Sequence, residues 1–223
     1  MDFGTIIDAA FSAAFGPQAI VFALAAIGLN IHFGYTGLLN FGQAGFMAIA
    51  AFGLAVSVVT WDLPFALGIV IALAGTVLLA LVLGVPTLRL RADYLAIVTI
   101  AAAEILRLIF GAVEFKGTFG GSNGLTGYSS TYRDFNPYNK GIDLGVVSFS
   151  RGDLWNITVG WTLVALSCVL VWALMRSPWG RVLRSIREDE DAVRSLGKNV
   201  FAYKMQSLVL GGLFGGLAGI YHI

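Results

Sequence analysis

The sequence predicts an all-α, polytopic membrane protein with about six transmembrane helices in one domain, residues 1–223. Three observations carry that prediction. Hydrophobic residues make up 57% of the chain and charged residues 12%, against roughly 45–50% and about 25% in a typical soluble domain. Apolar runs able to cross a bilayer recur at about 17–34, 37–59, 64–85, 93–110, 158–175 and 203–223, each near the 20 or so residues that a membrane helix needs. The fourteen Lys and Arg all lie from Arg89 onward, while residues 1–88 hold only Asp2, Asp8 and Asp62 as charges. That distribution excludes a basic nucleic-acid-binding surface and supplies a topology signal.

Residues 3–15 read as a short interfacial helix. They do not read as a signal peptide, because Asp2 and Asp8 stand where a basic n-region would, and no small-residue cleavage site follows. The first two runs meet at Gly34-Tyr35-Thr36-Gly37-Leu38-Leu39-Asn40-Phe41-Gly42-Gln43-Ala44-Gly45, with Asn30 and His32 just upstream. Unsatisfied polar groups at membrane depth cost several kcal/mol each. Two readings fit: a broken helix lining a translocation path, with Asn30, Asn40, Gln43, Gly42 and Gly45 along it, or packing through small residues plus a turn at Gly34–Gly37. The segment 35–45 is re-entrant in the first and a plain turn in the second. His32 reads as a satisfied structural histidine.

The third run ends at Pro86-Thr87-Leu88-Arg89-Leu90-Arg91-Ala92-Asp93-Tyr94, whose charges anchor the cytoplasmic entrance of the fourth helix. In that helix Glu104 and Arg107 are spaced i, i+3 on one face and form an intramembrane pair. The loop 111–157 carries Gly117-Thr118-Phe119-Gly120-Gly121-Ser122-Asn123-Gly124, which lacks the spacing and lysine of a phosphate cradle and reads as tight turns in an extracytoplasmic cap. The Asn156-Ile157-Thr158 sequon at a membrane edge reads as accidental. The fifth run holds the one cysteine, Cys168, expected to be a small buried hydrophobe.

Half of the basic residues crowd into 176–204, which the positive-inside rule makes cytoplasmic. Alternating from there places 111–157 outside, the Arg89/Arg91 turn inside, Thr60–Pro64 outside and the N-terminus outside. Within that segment Val182, Ile186, Val193 and Leu196 fall on one face of a short amphipathic helix, with Gly197 as its C′ residue. Its other face would present Arg184, Arg187, Glu188, Asp189, Asp191 and Arg194 to an aqueous partner. The sixth run carries Gly211, Gly215 and Gly219 in a small-xxx-small row, the pattern of a packed helix face. It reaches Ile223 without a polar flank, so the chain is expected to be a fragment. No Ser/His/acid set, metal-ligand cluster or Walker lysine stands in the sequence, and catalysis by this chain is not expected.

These motifs resemble the M-type permease subunits of branched-chain amino-acid ABC importers. The matching residues are Gly34 to Phe46, Arg89 to Thr99 with Glu104-Ile105-Leu106-Arg107, Gly120 to Leu125, Ser177-Pro178-Trp179-Gly180-Arg181 and Arg187 to Gly197. The resemblance implies an ABC-importer permease fold in a bacterial plasma or inner membrane. It also implies a homologous permease subunit, two cytoplasmic ABC ATPase subunits and an extracytoplasmic substrate-binding protein as partners, with no cofactor held by this chain and ATP hydrolysed by those partner subunits. The cytoplasmic coupling segment would be 177–202, with Arg184, Arg187, Glu188, Asp189, Asp191, Ala192, Arg194 and Gly197 facing an ATPase. Members of the family continue for several more membrane segments. Two rival readings remain open, an ion- or proton-coupled carrier using Glu104 and His32, and an inactive truncated scaffold.

Overall fold

In hydrocarbon a backbone must close its hydrogen bonds internally, which leaves the helix as the economical answer for isolated apolar runs. The computed structural model describes residues 3–89, 92–121, 124–143 and 148–223. Helix α1 (Phe3–Phe15) is followed by α2 (Pro17–Asn30), α3 (Gln43–Val59), α4 (Phe65–Thr87) and α5 (Ala92–Gly111). Short helices α6 (Lys116–Phe119) and α7 (Ser130–Asp134) and a two-residue ladder, Ile142–Asp143 against Ser148–Phe149, form the loop region. Then come α8 (Arg151–Arg176), α9 (Pro178–Glu188), α10 (Glu190–Ser195) and α11 (Val200–His222).

Five segments are long and apolar enough to cross a membrane, and α3 is a sixth, shorter apolar helix of 17 residues. At 1.5 Å per residue α3 is about 26 Å long, short of a hydrocarbon core of about 30 Å. The expected run 37–59 therefore starts late: residues 37–42 are not helical. In the other direction, α8 begins at Arg151 and not near 158, which shortens the loop between α5 and α8. Ser150 accepts from the Asp153 amide while Asp153 accepts from the Ser150 amide, a reciprocal cap that fixes the start within polar sequence. Chain direction breaks between α1 and α2 at Gly16, with Pro17 at the first helical position.

Helix α11 is the axis of the bundle, touching α2, α3 and α4. Its glycines make that possible. A Cβ on Gly219 would lie 2.1 Å from the Met47 carbonyl oxygen, one on Gly216 2.7 Å from Thr76 Oγ1, and one on Gly212 2.9 Å from the Phe46 ring. Leu208 of α11 packs in one cluster with Phe46, Leu83 and Leu95, and Ala218 in another with Ile20, Leu24 and Val164. Cys168 is exposed on α8, contrary to the buried position expected. Its neighbours Leu166, Val169 and Leu170 are exposed with it, so this stretch of α8 faces outward, where an apolar thiol suits lipid.

Candidate functional site: the joint below the first two spans

Helix α2 does not stop at Asn30 but widens into a π turn, Ile31–Thr36, closed by Gly37 in the left-handed region at φ 72°. The chain then runs without regular secondary structure from Gly37 to Gly42 and re-enters the bundle as α3. Its partners on α11 are Ser207, Leu208 and Gly211, which lie roughly 10 to 17 Å along that helix from Val200 at 1.5 Å per residue. The joint thus packs against the Val200 half of α11, an apolar span.

Non-helical backbone at that depth needs an acceptor for every amide. Gly37 N and Leu38 N donate to the His32 carbonyl, Asn40 N to the Leu38 carbonyl, Phe41 N to Thr99 Oγ1 and Gly42 N to Asn40 Oδ1. Asn40 is the keystone. Because its Oδ1 accepts from Gly42 at 2.9 Å, its Nδ2 must face the other way, toward His32 Nδ1 at 3.0 Å and Gln43 Oε1 at 3.4 Å. His32 Nε2 lies 3.2 Å from the Leu208 carbonyl, which can only accept. The ring is therefore the neutral Nε2–H tautomer, donating to α11 and accepting from Asn40. Gln43 Nε2 donates to the Gly211 carbonyl at 3.1 Å and to the Ala25 carbonyl at 3.4 Å. Thr36 Oγ1 donates to the Ile31 carbonyl at 2.9 Å and accepts from Ser207 Oγ at 2.5 Å.

Asn40, Gln43, Gly42 and Gly45 are thus brought together, and Asn30 is not: it is exposed at the foot of α2. Gly42 and Gly45 serve α5, where a Cβ would stand 2.4 Å from the Thr99 carbonyl oxygen and 3.2 Å from Ala103 Cα respectively. Asn40 and His32 are fully buried. The backbone does break here, and the Asn40 and Gln43 side chains bond within the break and to neighbouring backbone. Thr36, Thr99 and Ser207 belong to the cluster and were not singled out from the sequence. Ser207 had a signal, being four residues before Gly211 on the same helix face.

Against the joint lies the segment 177–199, the one expected to be cytoplasmic. It forms two helices and not one, because Asp189 leaves helical geometry and its Oδ1 caps α10 by accepting from the Asp191 and Ala192 amides, both at 3.0 Å. Gly197, at φ 75°, ends α10 with paired bonds from Gly197 to Arg194 and from Lys198 to Val193, the arrangement of a C′ glycine. Leu183, Ile186 and Val193 are buried, whereas Leu196, expected on that buried face, is 79% exposed. The helix break at Asp189 rotates it away. Arg184 donates to the Met175 carbonyl at 2.6 Å, and Arg187 donates to the Gly34 carbonyl, so both serve this chain's own backbone. Glu188 and Asp191 point outward, with Arg194 pairing to Glu190 at 2.9 Å and Asp191 at 3.2 Å. Lys204 of α11 pairs with Glu190 and ties α10 to the axial helix. A cavity of about 220 Å³ opens between the joint and this segment, lined by Thr36, Gly37, Leu38, Arg187, Glu190 and Lys204 among others.

On α5, Arg107 donates twice to Glu104, at 2.9 and 2.6 Å, and the pair is exposed on the helix surface. At the other membrane face a cavity of about 490 Å³ is walled by Phe65, Ile69, Tyr132, Trp155 and Tyr221. Burial there pushes the Tyr132 phenol above its usual value, and its hydroxyl donates to Asn156 Oδ1 at 3.0 Å. Of the remaining sequence motifs, Leu90 and Arg91 of the cytoplasmic turn and Ser122 and Asn123 of the glycine-rich loop lie outside the described residues, as does the Asp93 side chain.

A bundle of apolar spans with a folded amphipathic appendage under a broken first span is the architecture of a polytopic membrane protein. The family described as "Branched-chain amino acid transport system / permease component" matches residues 14–223, and the chain belongs to it. Among its relatives is the high-affinity branched-chain amino acid transport system permease protein LivM of Salmonella typhimurium, 34% identical over 221 residues, covering 91% of this chain and 50% of that protein. The LivM of Escherichia coli is 34% identical over 219 residues, covering 90% and 49%. The guanosine ABC transporter permease protein NupQ of Bacillus subtilis is 27% identical over 224 residues, covering 91% and 65%. The chain spans about half the length of the LivM relatives it matches. No solved structure is a significant match.

Proposed function

We propose that this chain acts as a transmembrane permease subunit that alternates access for a branched aliphatic amino acid. In this reading an extracytoplasmic binding protein delivers the substrate, a homologous permease completes the path, and two cytoplasmic ATPases supply the work. The observation that carries it is the segment α9–α10, whose inner face packs under the joint of the first two spans while Glu188, Asp191 and Leu196 face the aqueous side. A folded element with one face on the membrane domain and one left outward is what docking to a soluble subunit requires. The LivM relatives support the amino-acid class. The NupQ relative supports a second reading, a nucleoside permease, on the same architecture.

The deciding experiment reconstitutes the full-length permease with its partner permease, ATPases and binding protein in liposomes. ATP-dependent uptake of labelled leucine, blocked by isoleucine or valine and indifferent to guanosine, is the expected result. Uptake of guanosine alone would transfer the conclusion to the nucleoside class. Leucine uptake that proceeds without ATP and collapses with a proton gradient would overturn the ATP-driven reading.

A further inference from the structure

The coupling role expected of Arg187 pointed it at a partner; the residue is exposed, yet its guanidinium bonds this chain's own backbone. Its Nη1 donates to the Gly34 carbonyl in the π turn, a bond between positions 153 residues apart in sequence. Its aliphatic stem passes so close to Gly37 that a Cβ there would stand 3.2 Å from Arg187 Cγ, and Gly37 is at φ 72°. The same helix anchors Leu183 against Ile31 and Val171, so α9 and the π turn form one contact surface. A π turn is an uncommon, strained form that recurs at functional positions. Beside it, the roughly 220 Å³ cavity gives Thr36, Gly37 and Leu38 room to shift.

We propose that Arg187 is the latch through which motion of the cytoplasmic helices reaches the membrane: by holding the Gly34 carbonyl it carries displacement of α9 into the π turn and thence, through His32 and Asn40, into the seating of α3 on α11. This rests on the ATP-driven reading above and adds to it the residue and the backbone atom that transmit the stroke. Arg187 acts here as a positioning residue and touches neither nucleotide nor substrate. Outward-facing Glu188, one position along, belongs to the docking face and not to the latch.

The test uses the reconstituted full-length complex, measuring leucine uptake and ATP hydrolysis in the same liposomes. Arg187→Met keeps the stem that packs on Gly37 and removes the donors, so the complex should still assemble with its ATPases and hydrolyse ATP within about twofold of wild type. Leucine moved per ATP should fall at least about tenfold, and Arg187→Lys, which keeps a donor, should recover to within about threefold. An unchanged ratio of leucine to ATP in Arg187→Met overturns the latch. So does loss of ATPase association by a permease that remains folded, which would make Arg187 a docking residue after all. A second measurement needs no variant: in the wild-type complex, amide exchange across residues 34–42 should differ between the nucleotide-free and ATP-bound states, and identical exchange overturns the proposal. Failure of the underlying reading is visible separately, as absence of ATP-driven leucine uptake in wild type.

Discussion

Asn40→Ala tests whether the joint is held by a closed polar network. The wild-type amide joins three groups: the Gly42 N–H at 2.9 Å, His32 Nδ1 at 3.0 Å and Gln43 Oε1 at 3.4 Å. Alanine leaves all three without that partner in a site closed to water, since Asn40 is fully buried. Side-chain hydrogen bonds inside membrane proteins are worth about 0.6 kcal/mol on average and about 1.7 at most. Three of them give a loss of about 2 to 5 kcal/mol, or a fall in melting midpoint of at least about 4 °C for a chain of this size. The assay is thermal unfolding of the full-length protein in detergent, followed by tryptophan fluorescence. Asn30→Ala is the internal control: that side chain is exposed, and its loss should move the midpoint by less than about 1 °C, as substitutions away from packed features do. If Asn40→Ala melts with wild type, or no lower than Asn30→Ala, the network does not hold the joint and the argument fails.

Gly219→Leu should abolish recovery of folded protein, because a Cβ there meets the Met47 backbone oxygen at 2.1 Å; normal yield and melting would place this face away from α3. Asp189→Ala removes the acceptor for the Asp191 and Ala192 amides and should cost about 1 kcal/mol locally, seen as faster proteolysis at 189–195 with the membrane domain intact; unchanged proteolysis would refute it. Cys168→Phe should melt within about 2 °C of wild type, since an exposed position tolerates volume that a packed core does not; a large fall would mean that the site is packed. Each single change Glu104→Leu or Arg107→Leu strands one charge of an exposed pair in the last two turns of an apolar span, which costs up to about 2.5–3.5 kcal/mol, the value for a helix centre. The double variant should therefore insert better than either single one, and equal insertion of all three would show that the pair contributes nothing there.

The spans were legible because hydropathy and the location of basic residues speak directly about lipid and water. The α11 glycine row was legible for a related reason, spacing being enough to place Gly211, Gly215 and Gly219 on one face. What could not be read was which of the two ways the polar residues at 30–45 would be used. That depends on partners 168 to 176 residues away, the Gly211, Leu208 and Ser207 groups of α11, and no local pattern announces them. The start of α8 was hidden by polarity, since Arg151 and Asp153 lie outside any apolar run and only the Ser150 cap marks them. In the cytoplasmic segment the periodicity placed Ile186 and Val193 correctly on the inner face, and failed at Leu196 because Asp189 breaks the helix whose period was being extended.

The amide accounting of the joint constrains how it can move. Phe41 N is held by Thr99 of α5, Gly42 N by Asn40, and Asn40 in turn by His32, whose other nitrogen is held by α11. No single link in that chain can open without stranding a polar group in a dry site, which is costlier than moving the group of links together. The Phe41 and Gly42 amides are thus tied, through Thr99, Asn40 and His32, to α5 and α11, which makes 37–42 a segment that shifts with its neighbours and not a loose loop. A pull at the Gly34 carbonyl is felt at the seat of Gln43 on Gly211 for the same reason that the segment is stable at rest. The polar side chains of Asn40 and Gln43 bond within the joint and to the α11 backbone, directly or through His32, so displacing either one disturbs the seating of α3 on α11.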